Sequence, residues 1–359
     1  MIENQENRIR IKDIAERAKV SVGTVDRVIH ERGEVAEGTR KQVLSIIEEL
    51  GYTPNILAKS LASKKQYQLA ALIPDYRIDN PYWQMPGLGI EKAFEEIKNF
   101  NASVNIFTFD LNQESTFIKT FKKLLKSEPD GIVFSPLFYD SSLDFIKKCD
   151  KKNIPYIFID VNIAGCNSQA YFGQNTSQSG YLAAKLMDYG IHEKSEILIL
   201  KLANEEGVTH HLKTRENGFL EYHSNSEMKN KISITSLEIP LNSDKKIEYK
   251  LREIFTKKKN IRGVFVTNSR VYKVAKYLDE NNIKNVLLAG YDLIDKNIEY
   301  LENGIIDFLI GQKPEEQGYK SIQAMFNYLF FNREVDKVNY SPIDIIMKEN
   351  IDYYKNFKF

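Results

Sequence analysis

Polar side chains suited to binding hydroxyl groups recur at the ends of apolar runs in this chain. Asp160 ends Ile-Pro-Tyr-Ile-Phe-Ile-Asp, Asn268 ends Gly-Val-Phe-Val-Thr-Asn, Asp292 ends Leu-Ala-Gly-Tyr-Asp, and Gln312 ends Phe-Leu-Ile-Gly-Gln. The string Asp79-Asn80-Pro81-Tyr82-Trp83 follows another such run, and Trp83 is the only tryptophan. A carboxylate accepts hydroxyl hydrogen bonds, an amide both accepts and donates, and flanking aromatic rings stack on a sugar face. Arg215 opens Arg-Glu-Asn-Gly-Phe and offers a planar fork of donors. Turn formation alone also favours Asn and Asp at strand ends, so the recurrence carries the reading rather than any one residue.

Such side chains need a scaffold that brings strand ends together. Apolar runs at 69–73, 104–109, 131–134 and 156–159 alternate with helical patterns near 86–99, 113–127 and 141–151. A second series runs through 169–172, 197–200, 232–237, 264–266, 286–289 and 308–310, with helices near 177–190, 213–223, 245–257, 270–281 and 313–331. Strand-helix alternation implies parallel sheets with right-handed crossovers. Two series imply two lobes, and open α/β sheets bind ligands at the carboxyl ends of their strands.

The first fifty residues follow a different period. Ile11, Ile14, Ala15 and Ala18 take the helical i, i+3, i+4, i+7 spacing. Ser21, an N-cap type, opens a second helix in which Val25, Val28 and Ile29 repeat it. Two short helices joined by three or four residues form a helix-turn-helix, whose second helix lies in the major groove of DNA. A third helix over 39–50 closes a small core with Val43, Ile46, Ile47 and Leu50, and Gly51 stops it. The segment Asn55-Ile-Leu-Ala-Lys-Ser-Leu-Ala62 after Pro54 suits a helix start but is too short to be stable alone in water.

Bulk properties bound these readings. A chain of 359 residues with 42% hydrophobic and 28% charged residues holds two or three globular domains. No apolar run near the N-terminus reads as a secretory signal, and none later reaches the ~20 residues of a membrane span. Cys149 and Cys166 show neither metal-ligand nor disulfide-framework spacing, so a cytoplasmic protein without membrane, metal or cofactor is expected. Net charge is +1 overall, and residues 1–65 carry 12 Lys/Arg against 10 Asp/Glu. DNA binding must therefore rest on where charges sit, not on bulk basicity.

The string A-x-x-A-x-V-S-x-x-T-V-x-R-V-I, followed by T-R-x-x-V and L-G-Y-x-P-N-x-x-A-x-x-L, resembles the headpiece of the lac repressor (LacI/GalR) family over residues 10–65. The resemblance implies that Val22 and Gly23 face base edges, that Arg27 reaches a guanine or phosphate, and that Ser21, Thr24 and Asn55 hold phosphate oxygens. Lys12 and Arg10 add electrostatic contacts. The segment with Asn55, Ala58 and Leu61 would fold on operator DNA and insert Leu61 into the minor groove. Asp26 stands where the family usually has serine, and Val22-Gly23 offers base edges at most a thymine-methyl contact.

Residues 67–350 resemble periplasmic sugar-binding proteins of the ribose-binding type, the usual partner of this headpiece. The implied architecture is an all-α head at 1–53, a hinge at 54–66, and a two-lobed periplasmic-binding-protein-like (type I) domain at 67–359. One lobe takes about 67–165 and 313–332 and the other about 168–311 and 342–359, with crossings near 163–168, 311–313 and 332–342. The implied effector-binding residues are Asn80, Tyr82, Trp83, Asp160, Arg215, Asn268, Asp292 and Gln312; Val161 departs from the arginine many sugar binders place there. The expectation is a homodimeric transcription regulator that binds double-stranded operator DNA under control of a small polyhydroxylated effector.

Other signals are set aside. Gly87-Leu-Gly89 lacks the third glycine of a dinucleotide fingerprint, and adjacent His210-His211 point apart on a helix. No Ser-His-Asp order or acid pair has supporting spacing, so no catalytic residue is assigned. The rival readings are a transport-type sugar-binding protein, which would not need residues 11–62, and a sugar-modifying enzyme using Asp160 or Asp292 as acid or base.

Overall fold

In the computed structural model, residues 9–29, 33–50, 65–77, 81–203, 210–241 and 243–355 are described. The chain separates into two compact units, Met1–Lys65 and Gln66–Phe359.

The first unit holds α1 (Ile11–Ala18), α2 (Val22–Ile29) and α3 (Glu37–Glu49). Their apolar stripes meet in a miniature core of Ile14, Ala15, Ala18, Val25, Val28, Val43 and Ile46. Lys19 ends α1 in the left-handed region (φ 51°), turning the chain. Ser21 Oγ then accepts the Thr24 amide proton at 3.0 Å, which satisfies one of the orphan donors at the start of α2. The third helix starts at Glu37, two residues before the expected position, with that carboxylate at its positive end. Asn55, Ala58, Leu61 and the rest of the expected hinge lie outside the described residues.

The second unit is built on two six-stranded sheets. The first contains β1 (Tyr67–Pro74), β2 (Ala102–Phe109), β3 (Gly131–Phe134), β4 (Tyr156–Ile159), β5 (Ala170–Gly173) and β11 (Val338–Tyr340). All are parallel, in the order β11-β5-β4-β3-β1-β2. The second contains β6 (Ser195–Ala203), β7 (Ile232–Pro240), β8 (Ile261–Val266), β9 (Leu287–Tyr291), β10 (Phe308–Gly311) and β12 (Asp344–Ile346). Its order is β12-β10-β9-β8-β6-β7, and only β12 runs antiparallel. The two orders correspond strand for strand, so each lobe is a variant of one plan.

Helices cover both faces. α4 (Pro81–Ile97), α5 (Glu114–Lys126), α6 (Tyr139–Lys151) and α12 (Pro314–Phe331) belong to the first lobe. α7 (Thr176–Gly190), α8 (His210–Asn225), α9 (Asp244–Lys257), α10 (Val271–Glu280) and α11 (Asp295–Glu302) belong to the second, and α13 (Ile351–Lys355) ends the described chain. Because both faces are covered, β3 and β4 are buried along their whole length, which is why they read as unbroken apolar runs. Phe117, Phe121, Phe134, Phe145 and Phe158 are fully buried in the first lobe, each worth about 1.5–3 kcal/mol of burial.

The structure corrects the expected lobe boundaries. Residues 169–172 were expected to open the second lobe, but Ala170, Tyr171 and Phe172 pair with Ile157, Phe158 and Ile159 of the first sheet. The chain therefore crosses at 174–175, past the expected 163–168, then at 312–313 and again at 341–343. The third crossing lies late for the same reason, since Val338–Tyr340 adds to β5 before the chain leaves. α4 begins at Pro81 rather than near 86; Pro81 is at home in a first helical position, and Pro86 is tolerated inside the helix.

Candidate functional site

A cavity of about 480 Å³ opens between the lobes at the carboxyl ends of both sheets. Tyr82, Trp83 and Asp160 line it from the first lobe, Arg215, Asn268 and Asp292 from the second, and Gln312 from a crossing. Every expected effector residue that is described thus reaches one space; Asn80 lies outside the described residues.

Asp160 and Asp292 are equivalent in the two lobes. Each follows the fourth strand of its sheet, each sits in the left-handed region (φ 64° and 72°), and each donates its amide to the next strand, to Phe172 O and Ile310 O at 3.0 Å. Positive φ is costly for most side chains and most tolerable for Asp and Asn. Both carboxylates are buried, at 7% and 5% exposure. Burial pushes the Asp160 carboxyl up, against the hydrogen bond from Tyr82 and the Arg215 charge. Burial likewise pushes Asp292 up to about 7, although Arg215 and Gln312 favour its charged form.

Their partners differ. Tyr82 donates its hydroxyl to Asp160 Oδ1 at 2.6 Å and meets Trp83 edge-on at 5.3 Å. Gln312 Nε2 donates to Asp292 Oδ1 at 2.8 Å, while its Oε1 accepts from Arg215 Nη2 at 2.6 Å. Arg215 also donates to Thr267 O at 2.7 Å and lies 3.7 Å over the Tyr291 ring. Its Nε is buried without a partner. Asn268 donates to Leu202 O at 2.6 Å and accepts from the Arg270 amide at 3.2 Å, which leaves one amide hydrogen and one lone pair toward the cavity.

Two glycines hold Arg215 in place. A Cβ at Gly180 of α7 would stand 1.9 Å from Arg215 O, and one at Gly218 of α8 would stand 1.9 Å from Ser177 O. The two helices therefore cross backbone to backbone, and that close approach fixes the start of α8 against the second sheet.

Several site residues had escaped the sequence reading. Gln174, at 2% exposure, donates its amide to Gly311 O (2.9 Å) and Pro342 O (3.2 Å), so one side chain ties all three crossings together. Gln317 accepts the Asp160 amide at 3.2 Å and donates to Gln312 O at 2.8 Å, linking α12 to both lobes. Gln174 holds the place in the first lobe that Gln312 holds in the second, after Gly173 and Gly311; that repeated Gly-Gln was the available signal. Asn112, Glu114, Asp140, His211, Lys213 and Arg270 also line the cavity. Among the described residues no group of three His, Cys, Asp or Glu side chains is placed to hold a metal ion, and no helix is long and apolar enough to cross a membrane.

In the first unit, α2 buries Val25 and Val28 and turns Ser21, Val22, Gly23 and Arg27 outward, Val22 at 49% exposure. Thr24 is half-buried, its Oγ1 2.9 Å from Ser21 Oγ. Lys12 is exposed on α1 and pairs with Glu16 at 3.9 Å.

Comparison with known proteins follows the same division. Residues 10–55 match the model of bacterial regulatory proteins of the lacI family, and residues 71–333 match a periplasmic binding protein domain. The crystal structure of a putative LacI transcriptional regulator from Bacteroides fragilis is 33% identical with a TM-score of 0.75, covering 81% of this chain and 100% of that one. The ribose operon repressor of Bacillus subtilis is 27% identical over 295 residues, 80% of this chain and 82% of that protein. The transcriptional regulator RegA of Clostridium saccharobutylicum is 33% identical over 145 residues, 40% of this chain and only 42% of that protein.

Proposed function

The chain belongs to the lacI family of bacterial regulatory proteins, with a periplasmic-binding-protein domain behind its DNA-binding head, and on that premise we propose a transcriptional repressor controlled by a small polyhydroxylated effector, a sugar or sugar derivative. The observation that carries the reading is the cavity itself. Two carboxylates, an arginine fork, two amides and an aromatic pair from both lobes converge on a space of about 480 Å³. That volume suits a small ligand held by a few placed polar groups. The name of the ribose operon repressor, similar over most of its length, supports a sugar.

In this reading Asp160 and Asp292 accept ligand hydroxyls, Arg215 donates to a ligand oxygen, and Trp83 with Tyr82 packs a ring face. Gln312 couples Arg215 to Asp292, so the ligand finds both already aligned. A ligand touching both lobes favours one angle between them, and Gln174 at the crossings is where a change of angle is felt. The head docks with Val22 and Gly23 toward base edges and Arg27 on a guanine or phosphate, while Lys12, Ser21, Thr24 and Asn55 hold the backbone, Ala58 contacts the DNA and Leu61 enters the minor groove. Two heads in a homodimer address two half-sites.

The test is selection of duplexes from a random library by the full-length protein, followed by titration of the winning duplex with monosaccharides. Enrichment of a two-half-site sequence, lost on deleting residues 1–65 and altered by a sugar, is expected. Failure to enrich any duplex at low salt overturns the reading.

A further inference from the structure

Beside Asp292, the second-lobe wall of the cavity carries Lys213, Arg215 and Arg270 and two helix amino-terminal ends. α8 and α10 both point their amino-terminal ends at this space through Lys213 in the first turn of α8 and Arg270 at the position capping α10. Neither helix has an acidic residue in its first turn. Cations at the positive end of a helix are unfavourable, and backbone amides there attract anions. The first-lobe helices that reach the same cavity are the reverse: α5 carries Glu114 and α6 carries Asp140 in the first turn, so their positive ends are already offset.

Arg215 gives independent support. It is 2% exposed, its guanidinium contacts only neutral oxygens and a ring, and its Nε has no partner. Among the described residues no ion pair involves Lys213, Arg215 or Arg270, whereas many cations elsewhere on the surface, such as Lys273 and Lys257, are paired. The Arg215 charge favours the ionised forms of Asp160 and Asp292, but no carboxylate touches it, and its buried Nε remains without a partner.

We propose that the ligand of this cavity carries an anionic group, a phosphate ester or a carboxylate, seated on the second-lobe wall against Lys213, Arg215 and Arg270. The proposal rests on the sugar-effector reading and narrows it: the carbohydrate part occupies Asp160, Asp292, Tyr82 and Trp83, and the charge lies at the helix ends. Glu114 and Asp140 on the opposite wall keep the anion to one side.

Calorimetry supplies the signal, since the anion's seat is on the second-lobe wall and Trp83, the only tryptophan, lines the first-lobe wall. The full-length protein is titrated with inorganic phosphate at constant ionic strength, alongside a K213Q/R270Q variant and K213Q alone, with melting temperatures as the control for folding. A saturable heat of binding is expected, its midpoint raised at least about tenfold in the double variant, as loss of charge-assisted contacts requires. No saturable response in the unaltered protein, or the same midpoint in a folded variant, overturns the proposal. Ribose, ribose 5-phosphate and ribonate, and the matching glucose series, then identify the anion. A neutral sugar that binds as tightly as its charged forms overturns the anionic assignment and leaves the sugar reading standing. Phosphate binding without a response to any sugar does the reverse.

Discussion

Replacing Asp292 by Asn separates what the site needs for binding from what the fold needs for stability. The carboxyl is 5% exposed and burial holds it at about 7, whereas an unfolded chain releases that proton near ~3.9. Between those two values the folded protein binds more protons than the unfolded one, so its stability falls as pH rises and levels off above about 7. The substituted amide is neutral at every pH, and its oxygen still accepts from Gln312. Asp292→Asn should therefore match the unaltered protein near pH 4 and exceed it by about 3–4 kcal/mol at pH 8. Binding should move the other way: a charged acceptor of ligand hydroxyls contributes about 1.5–3 kcal/mol, so affinity falls roughly 10- to 150-fold. Denaturant unfolding at both pH values and Trp83 titration with the sugar found by screening give the two numbers. A variant less stable than its parent at pH 8, or one that binds undiminished, would refute the reasoning.

Other consequences follow from the same geometry. Ligand hydroxyls donating to Asp292 favour its charged form, so binding should release protons between about pH 5 and 7, and affinity should drop as pH falls through that window. Calorimetry in buffers of different ionisation enthalpy reads the release directly. Gln174→Leu removes the donors to Gly311 O and Pro342 O and leaves two carbonyls short of a partner; a stability loss of about 2 kcal/mol and a changed ligand affinity are expected in denaturant and fluorescence titrations. Gly180→Ala drives a methyl into Arg215 O and should cost at least about 1–3 kcal/mol together with ligand affinity. Gly23→Ala meets only Ser21 Oγ at 3.7 Å, so it should stabilise the head by up to about 1 kcal/mol of helix propensity, read as a higher thermal transition.

What was legible in the sequence was whatever burial writes as a pattern. Gly131–Phe134 and Tyr156–Ile159 are buried on both faces, so their unbroken apolar runs gave the strands to the residue. Asp160 and Asp292 stood out because a charge follows such a run directly. Val338–Tyr340 and Asp344–Ile346 were invisible: three residues each, mostly exposed or half-buried, they are strands because a neighbour offers backbone partners, not because of their side chains. That omission moved the third crossing; the first moved because 169–172, itself legible as a strand, pairs with β4 of the first sheet. The Gly180–Gly218 contact and the Gln174 clip were equally hidden, since both join segments far apart in the chain. Gln312 was expected to hold a hydroxyl; it also bridges Arg215 and Asp292, a role set by tertiary neighbours that no local pattern encodes.

The central claim is that the cavity and the head share one equilibrium, and linkage makes it measurable from both sides. Operator affinity is determined with and without saturating effector, and effector affinity with and without saturating operator, on the same full-length protein. The account predicts a single factor, at least about fivefold, that appears identically in both pairs. Operator affinity that is indifferent to an effector shown to bind would contradict it.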